Sequence, residues 1–493
     1  MAATSDPKAK GIKTLDKDLR RLGVMEQALV YTSRPLFALG LALVFVALAG
    51  LAAVALMGGR PGAWVVVAAA AIGAYMALNI GANDVANNMG PAVGARAVTL
   101  GGAILIAATC ETAGALLAGG DVVSTVSRGI IAPESVSAPH VFVWAMMAAL
   151  LAGALWINLA TWLGAPVSTT HSIVGGVMGA GIAAAGFASV SWPTMGKIAA
   201  SWVISPILGG VMAAIFLAIV KNRVIYRKDK IAAARAWVPL LIGIMGGVFA
   251  TYMALKGFSK LVKFSLGEAL LIGVAVGVPL DLIMRPVIRR QSEGMENRTK
   301  SLKRLFAIPL VFSAALLSFA HGANDVANAV GPLAAIVHTI EEGTGSDRVI
   351  IPLWVMLIGG VGLSVGLILF GPKLIHIVGS EITKLNAMRA YCVALSAALV
   401  VIIASWLGLP VSSTHIAIGG IFGVGFYREW YHSQVLKENR EMSKLPAEER
   451  TRRKFVRRSH LLTILAAWVI TVPAAALLSA GLFLVLVRIG GEG

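Results

Sequence analysis

Long apolar runs, parted by short polar or basic stretches, make up nearly the whole chain. They cover 36–57, 64–82, a run from just after Arg96 to about 117, 141–163, 198–220, 237–255, 266–284, 306–320, 350–371, 387–408 and 461–487. Most reach the roughly 20 residues that a helix needs to cross a hydrocarbon core of about 30 Å. Inside such a core every backbone N–H and C=O must be bonded within the segment. Continuous rather than alternating hydrophobicity therefore selects helices. The pattern predicts an all-α polytopic membrane protein.

Two runs end on the same polar heptad. Gly81-Ala82-Asn83-Asp84-Val85-Ala86-Asn87, followed by Gly90-Pro91, returns as Gly322-Ala323-Asn324-Asp325-Val326-Ala327-Asn328, followed by Gly331-Pro332. Each copy sets a carboxylate and two carboxamides in apolar sequence, where a charge at a helix centre costs about 2.5–3.5 kcal/mol on insertion scales. Carrying that cost twice points to binding rather than packing. A second motif also recurs, as Gly164-Ala165-Pro166-Val167-Ser168-Thr169-Thr170-His171 and Gly408-Leu409-Pro410-Val411-Ser412-Ser413-Thr414-His415. A third is Trp202-Val203-Ile204 with Pro206, matched by Trp468-Val469-Ile470 with Pro473. The heptads lie 241 residues apart (81 to 322) and the hairpin serines 244 apart (168 to 412). Repeats of this length in a membrane protein point to a transporter built from two halves.

Lys and Arg orient the spans, because they collect in cytoplasmic loops. The N-terminal arm, 221–235, 285–304 and 428–458 are basic and expected inside, while the loops 118–140 and 339–349 are expected outside. Counting crossings, the first heptad run travels inward and the second outward, so the halves are inverted. Four regions follow. Residues 1–63 are a basic cytoplasmic arm plus an extra N-terminal span, and 64–220 are the first inverted repeat. Residues 221–305 are basic loops and two linker spans, and 306–487 are the second inverted repeat, with a long basic loop at 428–458. The N-terminus is expected in the cytoplasm and the protein in the plasma (inner) membrane. This arrangement leaves Lys256, Lys260 and Lys263 outside.

Composition strengthens the membrane reading. The chain is 57% hydrophobic and 13% charged, with mean hydropathy +0.82, against about 45–50% and 25% in soluble domains. The net charge of +18 sits in loops between spans, so it calls for no nucleic acid partner. Cys110 and Cys392 both lie in apolar segments and are expected as buried thiols rather than a disulfide. The basic, polar N-terminal 35 residues lack the short apolar core of a cleavable signal. No GxxxxGK[ST] loop suggests ATP-driven transport.

The heptads, with the Gly-Pro behind them, are expected as broken helices, tolerated at membrane depth only where freed backbone faces protein or water. Oxygens of Asn83, Asp84, Asn324 and Asp325 suit a hard cation such as sodium, whereas a helix N-terminus suits an anion. In the second motif Pro ends one helix, and Ser168 or Ser412 caps the next. The hydroxyls of Ser168, Thr169, Thr170, Ser412, Ser413 and Thr414, with exposed N–H groups, are expected to cradle an oxyanion at the tips of two re-entrant hairpins. Glu111, inside the third run, either pairs with a polar neighbour or takes part in cation binding. His171 and His415 invite a Ser–His–Asp hydrolase reading. Each triad member is duplicated in an inverted half, however, so no catalytic residue is assigned; a bond to neighbouring backbone suits each histidine better. The Gly175/Gly179 and Gly419/Gly423 spacings are expected to be close helix packing.

The paired heptads, the Cys110-Glu111-Thr112-Ala113-Gly114 segment and the paired Pro-Val-Ser hairpins resemble the inorganic phosphate transporter (PiT) family, over roughly residues 64–487. The resemblance implies a secondary transporter that moves phosphate with sodium or protons, a few relatives carrying sulfate. It further implies that Asn83, Asp84, Asn87, Asn324, Asp325 and Asn328 line the substrate and cation sites with the hairpin hydroxyls. Two departures stand out. An extra span precedes the repeat, and many relatives carry a Glu in the span before the second hairpin, where this chain reads Tyr391-Cys392-Val393-Ala394-Leu395. The expected function is a phosphate:cation symporter with no cofactor beyond the co-transported cation. Its partners are inorganic phosphate and the lipid bilayer, with homo-oligomerisation left open. The alternatives are a symporter of sulfate or another tetrahedral oxyanion, and an anion channel. Phosphate donates hydrogen bonds to a carboxylate at neutral pH and sulfate does not, so Asp84 and Asp325 favour phosphate.

Overall fold

A computed structural model describes residues 36–131, 133–136, 138–163, 167–259, 262–342, 351–377, 385–434 and 458–490. The protein is helical, and eleven helical stretches among these residues are long and apolar enough to cross a membrane. The sole extended pairing among them joins Ile131 to Val190. The helices are α1 (Leu36–Met57), α2 (Ala63–Gly94), α3 (Leu100–Ala118), α4 (Pro139–Leu163), α5 (Thr169–Ala185), α6 (Trp192–Val220), α7 (Lys230–Tyr252) and α8 (Leu266–Gln291). They continue as α9 (Ala307–Asp325), α10 (Ala327–Glu342), α11 (Leu353–Ile377), α12 (Ala387–Trp406), α13 (Ser413–Gln434) and α14 (Arg458–Gly490). The N-terminal arm and 435–457 of the long basic loop lie outside the described residues.

The two sequence copies exchange partners. α2 packs on α11 while α9 packs on α3; α5 packs on α14 while α13 packs on α6. Glycine sets each approach. A Cβ on Gly81 would collide with the carbonyl of Leu363, and one on Gly322 with that of Glu111; Gly114 meets Phe319 as Gly366 meets Leu78. The Gly175/Gly179 pair lies against Val472 and Ala476, and Gly419/Gly423 against Pro206 and Gly210. The GxxxG expectation is thus met, with helix backbones touching where side chains are absent. At the centre, Thr112 donates to the Gly360 carbonyl and Ser364 donates to that of Ala108, with 2.6 Å between the two hydroxyl oxygens.

Three expectations are corrected. The first heptad does not break its helix: α2 runs from Ala63 through Pro91 to Gly94. Pro91 forfeits only the bond to the Asn87 carbonyl, and the helix ends one turn later. In the second copy Val326 alone separates α9 from α10. Residues 118–140 are not a plain surface loop. Gly120–Ser124 and Thr125–Gly129 are helical turns that bury Val122, Val123, Val126 and Ile130 against α10 and the rest of the core. Nor are 230–235 and 285–291 loops, because α7 begins at Lys230, capped by Asp229, and α8 runs on to Gln291. Cys392 is buried and Cys110 half-buried, both as free thiols.

Cross-links group the ends of the helices. Arg60 pairs with Glu341, and Lys256 with Asp121. At other ends Arg235 bonds Ser292, and Asn297 bonds Lys228 and the Lys230 amide. α7 and α8 form a tight hairpin through Gly243, Gly247, Gly273 and Gly277, leaving α8 mostly exposed.

Candidate functional site

Both Pro-Val-Ser tips end in a capped helix. Ser168 Oγ accepts from the His171 N–H at 3.2 Å, and Ser412 Oγ from the His415 N–H at 3.3 Å. The Ser172 and Ile416 N–H groups return to the Ser168 and Ser412 carbonyls. That leaves the N–H groups of Thr169, Thr170, Ser413 and Thr414 ahead of the first intrahelical bonds, at the positive ends of α5 and α13. The tips touch: Thr170 donates to the Val411 carbonyl at 3.0 Å, and the Trp202 indole donates to the Pro410 carbonyl at 3.0 Å. The His171 ring lies tilted against Trp202, 3.9 Å between centroids, and meets the His415 ring edge-on, 4.6 Å between centroids.

The heptads face these tips. Asp84 accepts from Thr169 at 3.1 Å, from Thr414 at 3.0 Å and from Asn83 at 3.2 Å. Asp325 accepts from Ser413 at 3.2 Å. Asn87 donates to Thr414 at 2.8 Å, and Asn328 donates to Thr170 at 3.2 Å. These bonds correspond in the two copies: Asp84–Thr169 matches Asp325–Ser413, and Asn87–Thr414 matches Asn328–Thr170. Each aspartate holds the tip of its own half, and each second asparagine holds the tip of the other. The expected substrate residues Asp84, Asn87, Thr169, Thr170, Asp325, Asn328, Ser413 and Thr414 therefore form one cluster, with Ser168 and Ser412 capping behind it. Asn324 has a different task. Its amide donates to Ser405 and the Leu409 carbonyl, and its oxygen accepts from the Val411 N–H, which fastens the second tip.

One side chain in the cluster escaped the sequence reading. His321, fully buried, lies with Nε2 2.9 Å from Asp325 and 3.8 Å from Asp84, and Nδ1 3.1 Å from Glu111. Glu111, also fully buried, accepts from Asn88 at 3.1 Å. One ligand atom from each of Asp84, His321 and Asp325 falls within 4.8 Å of the others. The signal was in the sequence, one residue upstream of the second heptad, where the first copy has Ile80. Glu111 and Asn88 break the correspondence too. The residue that meets Gly81 as Glu111 meets Gly322 is Leu363, and Asn88 is matched by Ala329.

Buried acceptors remain open. Among the described residues Asp325 Oδ1, Asn328 Oδ1 and Glu111 Oε2 have no hydrogen-bond donor. Buried polar atoms are nearly always bonded, so each of these oxygens calls for a cation or a hydrogen-bond donor from a ligand. Donors at two helix starts facing paired carboxylates suit a tetrahedral oxyanion that both accepts and donates hydrogen bonds.

Comparison with known proteins fits this geometry. The model of the Phosphate transporter family matches residues 80–479. A Helicobacter pylori protein described as "Putative phosphate permease" is 42% identical, the alignment covering 95% of this chain and 98% of that one. The Arabidopsis thaliana "Inorganic phosphate transporter 2-1, chloroplastic" is 35% identical, over 83% of this chain and 70% of its own. A solved structure titled "The sodium-dependent phosphate transporter" superposes with TM-score 0.77 at 35% identity, over 86% of this chain and 99% of that one. This integral membrane chain, with its paired heptads and hairpin tips, belongs to the phosphate transporter family.

Proposed function

We propose that this protein is a secondary symporter that moves inorganic phosphate together with a cation. The observation that carries the reading is the closed ring of bonds between heptads and tips. Asp84, Asp325, Asn87 and Asn328 hold the starts of α5 and α13 together, so binding at the ring couples both halves. Phosphate sits, in this reading, on the N–H groups and hydroxyls of Thr169, Thr170, Ser413 and Thr414, and its own hydroxyl donates to Asp84 or Asp325. The cation takes oxygens of Asp84, Asp325 and Asn328, with Asn83 beside them, Asn324 positioning the tip and Glu111 acting through His321 from the far side of its imidazole. Two carboxylates and a phosphate repel by about 4 kcal/mol per pair of charges 4 Å apart at an effective dielectric of 20. The two helix starts supply only about half a charge each. His321 offsets part of the remainder when it carries a second proton, and sodium supplies the rest.

The exchanged contacts of the two copies support inverted repeats related by a pseudo-twofold axis. The grouped cross-links support the expected sidedness: Arg60–Glu341 and Lys256–Asp121 fall at ends expected outside, and the 228–235 to 292–297 contacts at ends expected inside. Lys256, which the charge rule alone leaves unexplained, has its partner there in Asp121. The N-terminus is then cytoplasmic and both hairpins re-enter.

Uptake of radiolabelled phosphate by proteoliposomes tests the function. Uptake should saturate, concentrate phosphate under a sodium or proton gradient, and resist competition by sulfate. Concentration with neither gradient would exclude symport, and non-saturating uptake would indicate a channel. Topology is tested by impermeant thiol labelling of intact cells: Glu134→Cys should react and Lys228→Cys should not. The reverse pattern would turn the molecule over. Thr414→Val keeps the shape but removes the donor to Asp84 and the acceptor for Asn87. A charge-assisted bond is worth about 1.5–3 kcal/mol, so KM for phosphate should rise about tenfold or more. An unchanged KM would make the tips purely structural.

A further inference from the structure

α13 does not stop where its counterpart stops. α5 holds 17 residues and ends in Ala183-Ala184-Ala185; α13 holds 22, carries Tyr427 and Arg428 where α5 has Ala183 and Ala184, and runs five residues further, from Trp430 through Tyr431 to Gln434. The transport ring does not need this extension. It meets the end of α6, where Lys221 Nζ lies 4.1 Å from the centre of the Tyr431 ring and 4.9 Å from that of Tyr427. Arg428 follows Tyr427 in the chain, and α12, with Arg389 in its first turn, packs on both α6 and α13. Among the described residues neither Lys221 nor Arg389 has a carboxylate partner.

Tyr427 and Trp430 also line one end of an apolar groove of about 660 Å³ between α6 and α13. Its floor is backbone. A Cβ on Gly419 or Gly423 would strike the carbonyl of Pro206 or Gly210, so α6 and α13 meet there backbone to backbone. Ile207, Val211 and Phe426 along it are exposed. From Ile418 to Trp430, both lining residues, twelve helical steps make about 18 Å, a little over one leaflet of a core about 30 Å thick. The groove thus has the length of one leaflet, with tyrosine, tryptophan and cations at its mouth. Aromatic rings favour the headgroup level, and basic pockets between helices attract anionic headgroups.

We propose that this groove binds one anionic phospholipid, an acyl chain lying between α6 and α13 and the headgroup phosphate among Lys221, Arg389 and Arg428. A second copy of the chain suits the face less well. A twofold contact there sets the same cations against themselves.

Trp202 and Trp430 line the groove, so a lipid with brominated chains should quench them. In detergent, brominated phosphatidylglycerol is expected to quench the emission that Trp430→Phe removes at about a tenth of the concentration that brominated phosphatidylcholine requires, as two or three cations near a headgroup allow. Lys221→Gln with Arg389→Gln should erase that preference and leave quenching by phosphatidylcholine unchanged. Ala214→Phe, which fills the groove, should weaken both lipids. Equal quenching by the two lipids in the unaltered protein would overturn the proposal, and that comparison stands even if a variant fails to fold. So would relief of phosphatidylglycerol quenching by millimolar inorganic phosphate, which would mark a site for free anions.

Discussion

Asp84→Asn is expected to lower phosphate uptake in proteoliposomes by about a hundredfold or more while leaving the protein folded. Asp84 is the side chain on which both tips converge, with Thr169 on one oxygen and Thr414 on the other. An amide keeps one acceptor and turns the other into a donor that faces a hydroxyl. Two charge-assisted bonds at about 1.5–3 kcal/mol each are weakened or lost. At 1.4 kcal/mol per factor of ten, the sum reaches a hundredfold or beyond. The cation loses a charged ligand in the same step, so the sodium or proton dependence of the residual uptake should flatten. Asp325→Asn should act in the same direction, with Ser413 and His321 as the partners lost. Fold is checked by gel filtration and thermal unfolding in detergent, where the variant should still elute as a single folded species but unfold at a lower temperature, because the weakened bonds also join the two tips. Uptake within threefold of the unaltered protein, with its ion dependence intact, would remove Asp84 from the site.

Much of this site was legible because its parts follow local rules. Ser168 and Ser412 cap helices because a serine at a helix start accepts from the N–H three residues on. The helix before Ser412, however, is ended by Gly408 in the left-handed region rather than by Pro410, and Pro166 lies outside the described residues. The glycine pairs behind the serines pack backbones because nothing larger fits. The carboxylates of Asp84 and Asp325 stood out because apolar sequence makes charge conspicuous. What stayed hidden depends on distance in the chain. Pro91 reads as a break, but its single missing bond is tolerated by a helix with one turn left to run. Residues 120–131 read as loop because they are short and lightly charged, yet α10 covers their valines. Asn324 looks like a ligand until the second tip, more than 80 residues later, is seen to use both ends of its amide. His321 stays hidden because it stands one residue before the second heptad, where the first copy has Ile80 and the repeat no longer holds. Its partner Glu111 lies 210 residues away (111 to 321), on a helix from the other half.

That mismatch leads to the other large effect. Ile80, Leu363 and Ala329 occupy, around the contact of α2 with α11, the positions that His321, Glu111 and Asn88 hold around the contact of α9 with α3, and all six are buried. A single His321→Ile change leaves Glu111 enclosed with only Asn88 for a partner. Breaking a buried charged pair by removing one member costs about 3–5 kcal/mol. The variant should therefore unfold at lower temperature and transport poorly. Glu111→Leu alone should also be harmful, since it strips the ring of one of its two flanking carboxylates. The double variant Glu111→Leu/His321→Ile places between α9 and α3 the apolar pair that α2 and α11 already bury between them. It should recover most of the lost stability, giving a double-mutant coupling of about 3 kcal/mol or more. Transport should not return with it. Asp84 and Asp325 would then face phosphate without the imidazole between them, and uptake should demand a steeper sodium or proton gradient. Additive losses in the thermal unfolding of the two single variants would show that the histidine and the glutamate act separately. Full transport by the double variant would show that the asymmetry is incidental to coupling.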